Sequence, residues 1–188
     1  MGAEEAEKAV GVQPSRAMLQ AACSPGVDLS AVTAMDLSLE GLVGLSGLGD
    51  ICPHLQTLNA AVNTLSSLVG LENCAPSLQE LNLRENRITA LNLVTRLTSL
   101  RRLNLDANRL TSLAGLAGSG TQLRSLSLAG NQLARLSGHE LTAATALESL
   151  NLMDNRLTRL RALLAPLTHL THLDVSGNRL CRLEGLQR

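Results

Sequence analysis

Among the residues able to carry chemistry, His172 and Asp174 stand out. They are two apart in T-H-L-D-V, so on an extended segment they share one side, where an imidazole and a carboxylate can orient a base or hold part of a metal site. Spacing fixes no third ligand or nucleophile beside them, and two solvated polar residues are expected. His54 and His169 stand singly, and His139 with Glu140 lies apart from both. The glycine-rich run Gly41 to Gly49, GLVGLSGLG, lacks both G-x-x-x-x-G-K-S/T and G-x-G-x-x-G. Its Leu42, Leu45 and Leu48 recur every third residue, which suits packing and not a phosphate cradle. Gly118-Ser119-Gly120 reads as a loop, and Cys23, Cys52, Cys74 and Cys181 lack metal-ligand spacing. No enzyme is expected, and no cofactor or metal.

The remaining reactive side chains are arginines and acids, and their placement depends on a repeat. The stretch LQELNLRENRITALNLVTRLTSLRRLNLDANRL says one thing twice. Leu78, Leu81, Leu83, Asn86 and Ile88 recur 22 residues later as Leu100, Leu103, Leu105, Asn108 and Leu110. The same frame starts at Val32, Leu55, Leu78, Leu100, Leu123, Leu147 and Leu170, and its Asn position holds Asn63, Asn86, Asn108, Asn131, Asn155 and Asn178. Glu40 takes that position in the first repeat and Ala60 replaces a core leucine in the second, so less regular pairing is expected there. The alternating L-x-L segment predicts a short strand buried on one face. Stacked copies predict an α/β repeat: a solenoid with a concave parallel sheet and a convex side of irregular or short helical segments, closed by leucines such as Leu113 and Leu116 or Leu160 and Leu163. The Asn amide donates and accepts at once, so a column of them can satisfy backbone groups at the turn.

In these residues the chain resembles the leucine-rich-repeat proteins, closest to the intracellular class of 22- to 23-residue repeats. That class includes the phosphatase-1 regulatory subunit, the axonemal dynein light chain, centrosomal and ciliary members, and a spliceosomal member. The resemblance spans Val32 to Arg188 and implies a protein-binding adaptor, cytoskeletal, centrosomal or ciliary; it carries over no individual site residue.

On each strand the residues flanking the inward leucines face the concave side. The middle column is Asp36, Asn59, Asn82, Asn104, Ser127, Asn151 and Asp174. Before it run Ala34, Thr57, Glu80, Arg102, Ser125, Ser149 and His172; after it run Ser38, Ala61, Arg84, Asp106, Ala129, Met153 and Ser176. The expected protein-binding set is Glu80, Asn82, Arg84, Arg101, Arg102, Asn104, Asp106, Arg124, Asn151, His172 and Asp174, with Arg84, Arg101, Arg102 and Arg124 as anchors. Glu80 with Arg102, and Arg84 with Asp106, are the pairs expected to neutralise each other. A second feature follows the Asn column. Arg87, Arg109, Arg156 and Arg179 occupy the next position, and Arg135, Arg159 and Arg182 lie three or four residues further on. This basic edge suits an acidic protein or, as the alternative function, RNA or a ribonucleoprotein. Nucleic acid ranks second because the stacking aromatics of RNA recognition are missing.

Composition sets the remaining bounds. Hydrophobic residues make up 45% of 188, enough for one continuous core, and Phe, Tyr and Trp are all absent. Formal charge is zero yet polarised: Met1 to Glu80 carries nine acids against Lys8 and Arg16, and the remainder fourteen arginines against seven acids. The start, with Glu4, Glu5 and Glu7, lacks a cleavable apolar run, and Ala6 spoils a myristoylation signal at Gly2. No apolar stretch approaches the roughly 18 residues of a membrane span. Scattered cysteines suggest reduced thiols, hence a cytoplasmic chain without membrane contact. Residues 1–31 are expected to cap the first repeat through a helix in SRAMLQAAC, with Ser15 as N-cap, Ala17, Met18, Ala21 and Ala22 at helical spacing, and Pro25-Gly26 as stop. Residues 32–188 form seven repeats, the last cut off. A bare last repeat would expose Leu183 and Leu186, so a fragment of a longer protein is expected, monomeric unless that end is covered.

Overall fold

The computed structural model describes residues 11–92, 94–116, 122–136, 139–160 and 164–181. Leu163, Gly118-Ser119-Gly120, Arg182, Leu183 and Leu186 lie outside them, as does the acidic start.

The alternating segments form seven three-residue strands: β1 (Ala34–Asp36), β2 (Thr57–Asn59), β3 (Glu80–Asn82), β4 (Arg102–Asn104), β5 (Ser125–Ser127), β6 (Ser149–Asn151) and β7 (His172–Asp174). They pair in chain order in one parallel sheet, with the frame positions of successive repeats opposite one another. Each central residue from Met35 to Leu150 is buried, as is the next inward residue, from Leu37 through Leu83 and Leu105 to Leu152. On the far side Leu65, Leu68, Leu91, Leu113, Leu116 and Leu160 complete the core. Burying one such leucine is worth about 1.5–3 kcal/mol, and no single repeat buries its own. The convex side is short-helical: α2 (Leu48–Ile51) and 3-10 turns at Leu29–Ala31, Val94–Arg96 and Ala114–Leu116. Leu42, Leu45 and Leu48 of the glycine-rich run are fully buried, so it is a packed turn.

Pairing of β1 with β2 is as regular as elsewhere, against the expectation drawn from Glu40 and Ala60. The reason lies in which turn each asparagine serves. Asn63 accepts from Leu42 N (2.9 Å) and donates to Leu37 O (2.9 Å), both in the preceding repeat, and to its own Ala60 O (3.1 Å) and Ala61 O (3.2 Å). Asn86, Asn108, Asn131, Asn155 and Asn178 repeat the pattern. Pairing of β1 with β2 does not need an asparagine at position 40, because the Leu37 carbonyl is met from the next repeat by Asn63.

Ahead of β1, α1 (Arg16–Ala21) starts at Ser15, whose hydroxyl accepts from Met18 N at 3.2 Å. It turns inward Leu19, fully buried, and Met18, partly so, as does Cys23 just beyond its end; Ala17, Ala21 and Ala22 are exposed, which corrects the expected apolar face. Val12 forms a parallel bridge to Leu42 and accepts from Val43 N at 3.0 Å, extending the layered pairing into this segment.

The residue before each Asn position is left-handed in every repeat: Leu39, Val62, Glu85, Ala107, Gly130, Asp154 and Gly177 have φ between 52° and 65°. Only two are glycine. Val62, at φ 56, is the most strained because it is β-branched, and at 39% exposed it gains little from packing. Val62→Asn, which tolerates this region, is expected to raise stability by about 0.5–1 kcal/mol, read as a higher denaturant midpoint at unchanged m-value.

Candidate interaction site

A parallel sheet usually has both faces covered. Here the concave face is open, and the outward residues of β1 to β7 are exposed or half-buried. A shallow depression of ≈ 330 Å³ spans β2 to β5, lined by Thr57, Asn59, Glu80, Asn82, Arg102 and Asn104 with Ser125 and Ser127. A second, also ≈ 330 Å³, lies where the strands begin, between Gln79, Arg101, Arg102, Arg124, Glu148 and His172.

Hydrogen bonds fix this face. Asn59 Nδ2 donates to Asp36 Oδ1 at 3.0 Å and Asn82 Nδ2 to Asn59 Oδ1 at 3.0 Å. The middle-column oxygens also accept from the backbone two residues on, as in Asp106 N to Asn104 (2.9 Å) and Met153 N to Asn151 (3.0 Å). The amide nitrogens of Asn104 and Asn151 have no protein acceptor among the described residues, which leaves donors aimed at the open face.

The expected Glu80 and Arg102 ion pair forms. Arg84 does not reach Asp106: it bonds the adjacent Glu85 instead, Nη2 to Oε1 at 2.9 Å. Asp106 Oδ1 is already occupied by Ser127 Oγ (2.6 Å) and Ala129 N (2.7 Å). Arg124, expected as an anchor, pairs with Glu148, one residue before β6. Glu148, Gln79 and Thr171 were missed because the columns began one residue too late; that position reads Gln79, Arg101, Arg124, Glu148, Thr171. All three ion pairs are solvent-exposed, worth about 0–1 kcal/mol each. Arg101 is the unpaired anchor of the four among the described residues.

His172 and Asp174 share β7 but not a hydrogen bond. His172 Nδ1 contacts Thr171 Oγ1 at 2.8 Å, while Asp174 Oδ1 accepts from Ser176 Oγ (2.6 Å) and Ser176 N (2.9 Å). The Ser176 hydroxyl and amide hold the Asp174 carboxyl below the ordinary carboxylate range, and Ser38 does the same for Asp36 at the other end of the sheet. Among the described residues no group of three His, Cys, Asp or Glu is placed to hold a metal, and no helix is long and apolar enough to cross a membrane.

On the edge after the Asn column, Arg87, Arg109, Arg135, Arg156, Arg159 and Arg179 are all exposed. Arg135 and Arg159 come together at a hollow of ≈ 450 Å³ with Ala134, Leu136 and Thr158.

The cysteines are free thiols. Cys52 and Cys74 are buried, and burial raises both, Cys74 to about 11. A thiol reagent at neutral pH is expected to modify exposed Cys181 rapidly and Cys52 and Cys74 only on unfolding, as mass spectrometry would show. Below about pH 9 the Cys74 thiol is neutral folded and unfolded; between there and pH 11 only the unfolded chain ionises, so stability falls as pH rises through that window.

The family described as leucine rich repeat matches residues 121–180, and the two-copy leucine rich repeat family matches 76–118. The chain carries leucine-rich repeats. Among solved structures, leucine-rich-repeat folds similar to this one include an internalin, InlF, from Listeria monocytogenes (TM-score 0.69, 23% identity, 82% of this chain and 44% of that one). Internalin C2 of the same organism gives TM-score 0.69 at 23% identity over 84% of this chain and 73% of that one. A TLR13–ssRNA13 complex gives TM-score 0.73 at 27% identity, over 81% of this chain and 22% of that one. The leucine-rich-repeat chain thus spans less than half the length of InlF and of TLR13. No curated protein sequence matches it. Leucine-rich repeats in general mediate contacts between proteins.

Proposed function

We propose that the chain is a non-enzymatic protein-interaction module that holds a polar segment of a protein partner on its concave face. The observation that carries this is the ≈ 330 Å³ depression on an uncovered parallel sheet, where Asn104 offers a donor beside groups fixed by their own hydrogen bonds, with Arg101 at the adjoining depression where the strands begin. Residues 11–31 act as its N-terminal cap, with Leu19 in the core and Val12 bridged to Leu42. Fixed side chains lose little freedom on binding, so even a flat polar surface can hold a partner. The test is affinity capture with the wild-type chain and with Ser125→Arg/Ser127→Arg, which fills the depression. Proteins lost with the variant while circular dichroism is unchanged support the concave site; identical captures contradict it. Cytoplasmic, cytoskeletal or ciliary placement and membership of the 22- to 23-residue intracellular class are supported by the repeat lengths and the unpaired thiols. Imaging of a tagged chain tests the first of these.

RNA binding is the second reading, favoured by the exposed arginine edge and by the similarity to TLR13 in its ssRNA13 complex. It ranks below a protein partner because a chain without Phe, Tyr or Trp offers no platform for base stacking.

A further inference from the structure

Beyond the concave face, the edge after the Asn column is built differently. Thr64, Arg87, Arg109, Gln132, Arg156 and Arg179 each donate their backbone N–H to a carbonyl of the preceding repeat, at 2.8 to 3.0 Å. Their backbones are therefore in register, and neighbouring side chains start about one strand spacing, ~4.8 Å, apart. Arg87 and Arg109 form one adjacent pair, Arg156 and Arg179 another, with Gln132 between, over a span of about 19 Å. Among the described residues all three ion pairs belong to concave arginines, and none joins an edge arginine to a carboxylate. Arg135 and Arg159 add positive charge alongside, at the ≈ 450 Å³ hollow.

We infer that this edge is a second docking surface, taking an extended acidic polypeptide segment through guanidinium–carboxylate pairs. An extended chain of about six residues covers such a span. A guanidinium offers a planar fork that carboxylates match two bonds at a time. Single-stranded RNA has the charge, but its recognition draws on aromatic stacking that this chain cannot supply.

The experiment uses the full chain, a fluorescent oligo-glutamate peptide, and oligouridylate of equal charge. The edge variant changes Arg87, Arg109, Arg156 and Arg179 to Gln; Gln132 already occupies that position with the same backbone bond, so the turn accepts it. The control changes concave Arg101 and Arg102 to Gln. The edge variant is expected to lose at least about tenfold in oligo-glutamate affinity, since four exposed pairs are removed at once, while the control binds as wild type. The proposal is overturned if wild type does not bind oligo-glutamate at low salt, if the edge variant binds it unchanged, if the control loses as much, or if oligouridylate binds more tightly. The concave reading survives or fails separately, because its own variant leaves every edge arginine in place.

Discussion

Asn108→Ala is expected to lower stability by about 3–5 kcal/mol, a large fraction of what a domain of this size has. Asn108 is 6% exposed and holds four backbone groups. It accepts from Ile88 N at 2.9 Å and donates to Leu83 O, Leu105 O and Asp106 O at 2.9, 3.0 and 3.2 Å. Alanine leaves these groups without partners in a place water enters poorly, and each buried orphan costs about 1–3 kcal/mol. Two comparisons separate hydrogen bonding from packing. Asn108→Asp keeps the shape but turns the donor toward three carbonyls into an acceptor, so it should be no better than alanine. Asn178→Ala, with the same four bonds at a half-buried position, should cost less because water can replace them. Urea unfolding of the three variants checks the order.

Gly70→Ala should be of similar size, roughly 2–5 kcal/mol from a positive φ and crowding together. Gly70 has φ +106, and an added Cβ would lie 1.9 Å from Leu45 O and 2.3 Å from Leu45 C. Both contacts are backbone, so no side chain can swing away. The carbonyl of Gly70 itself holds the neighbouring turn, accepting from Gly49 N at 2.9 Å. Repeats touch only their neighbours, so the damage should be local. Hydrogen exchange should quicken in β1 and β2 while β4 to β6 keep their protection. Uniform loss across all strands would mean that the repeats unfold as one unit.

These two positions show what the sequence made legible. The leucine period placed all seven strands, because inward positions must be apolar whatever the partner strand carries. The Asn column was legible for the same reason: only a small amide meets a donor and three carbonyls at once. The left-handed residue before it was not, since Val62, Glu85 and Ala107 occupy a site where only Gly130 and Gly177 give a hint. The inward face of α1 was misread because alanine spacing drew attention from Leu19, the one fully buried side chain of that helix. The concave charges were half legible. Glu80 and Arg102 pair across neighbouring strands, but Arg84 turned to Glu85 beside it because Ser127 and Ala129 had already engaged Asp106. Such competition among polar partners depends on side-chain reach and carries no periodic signature.

The most direct test of concave binding is site-specific photo-crosslinking. Benzoylphenylalanine is placed singly at Ser125 in the depression, at Gln132 on the arginine edge, and at exposed Thr142 on the convex side. Crosslinks to a captured protein from Ser125, absent from Thr142, are the predicted result, and an acidic segment of a partner is expected from Gln132. Crosslinks from Thr142 with none from Ser125 would contradict the account and move the binding surface to the convex side.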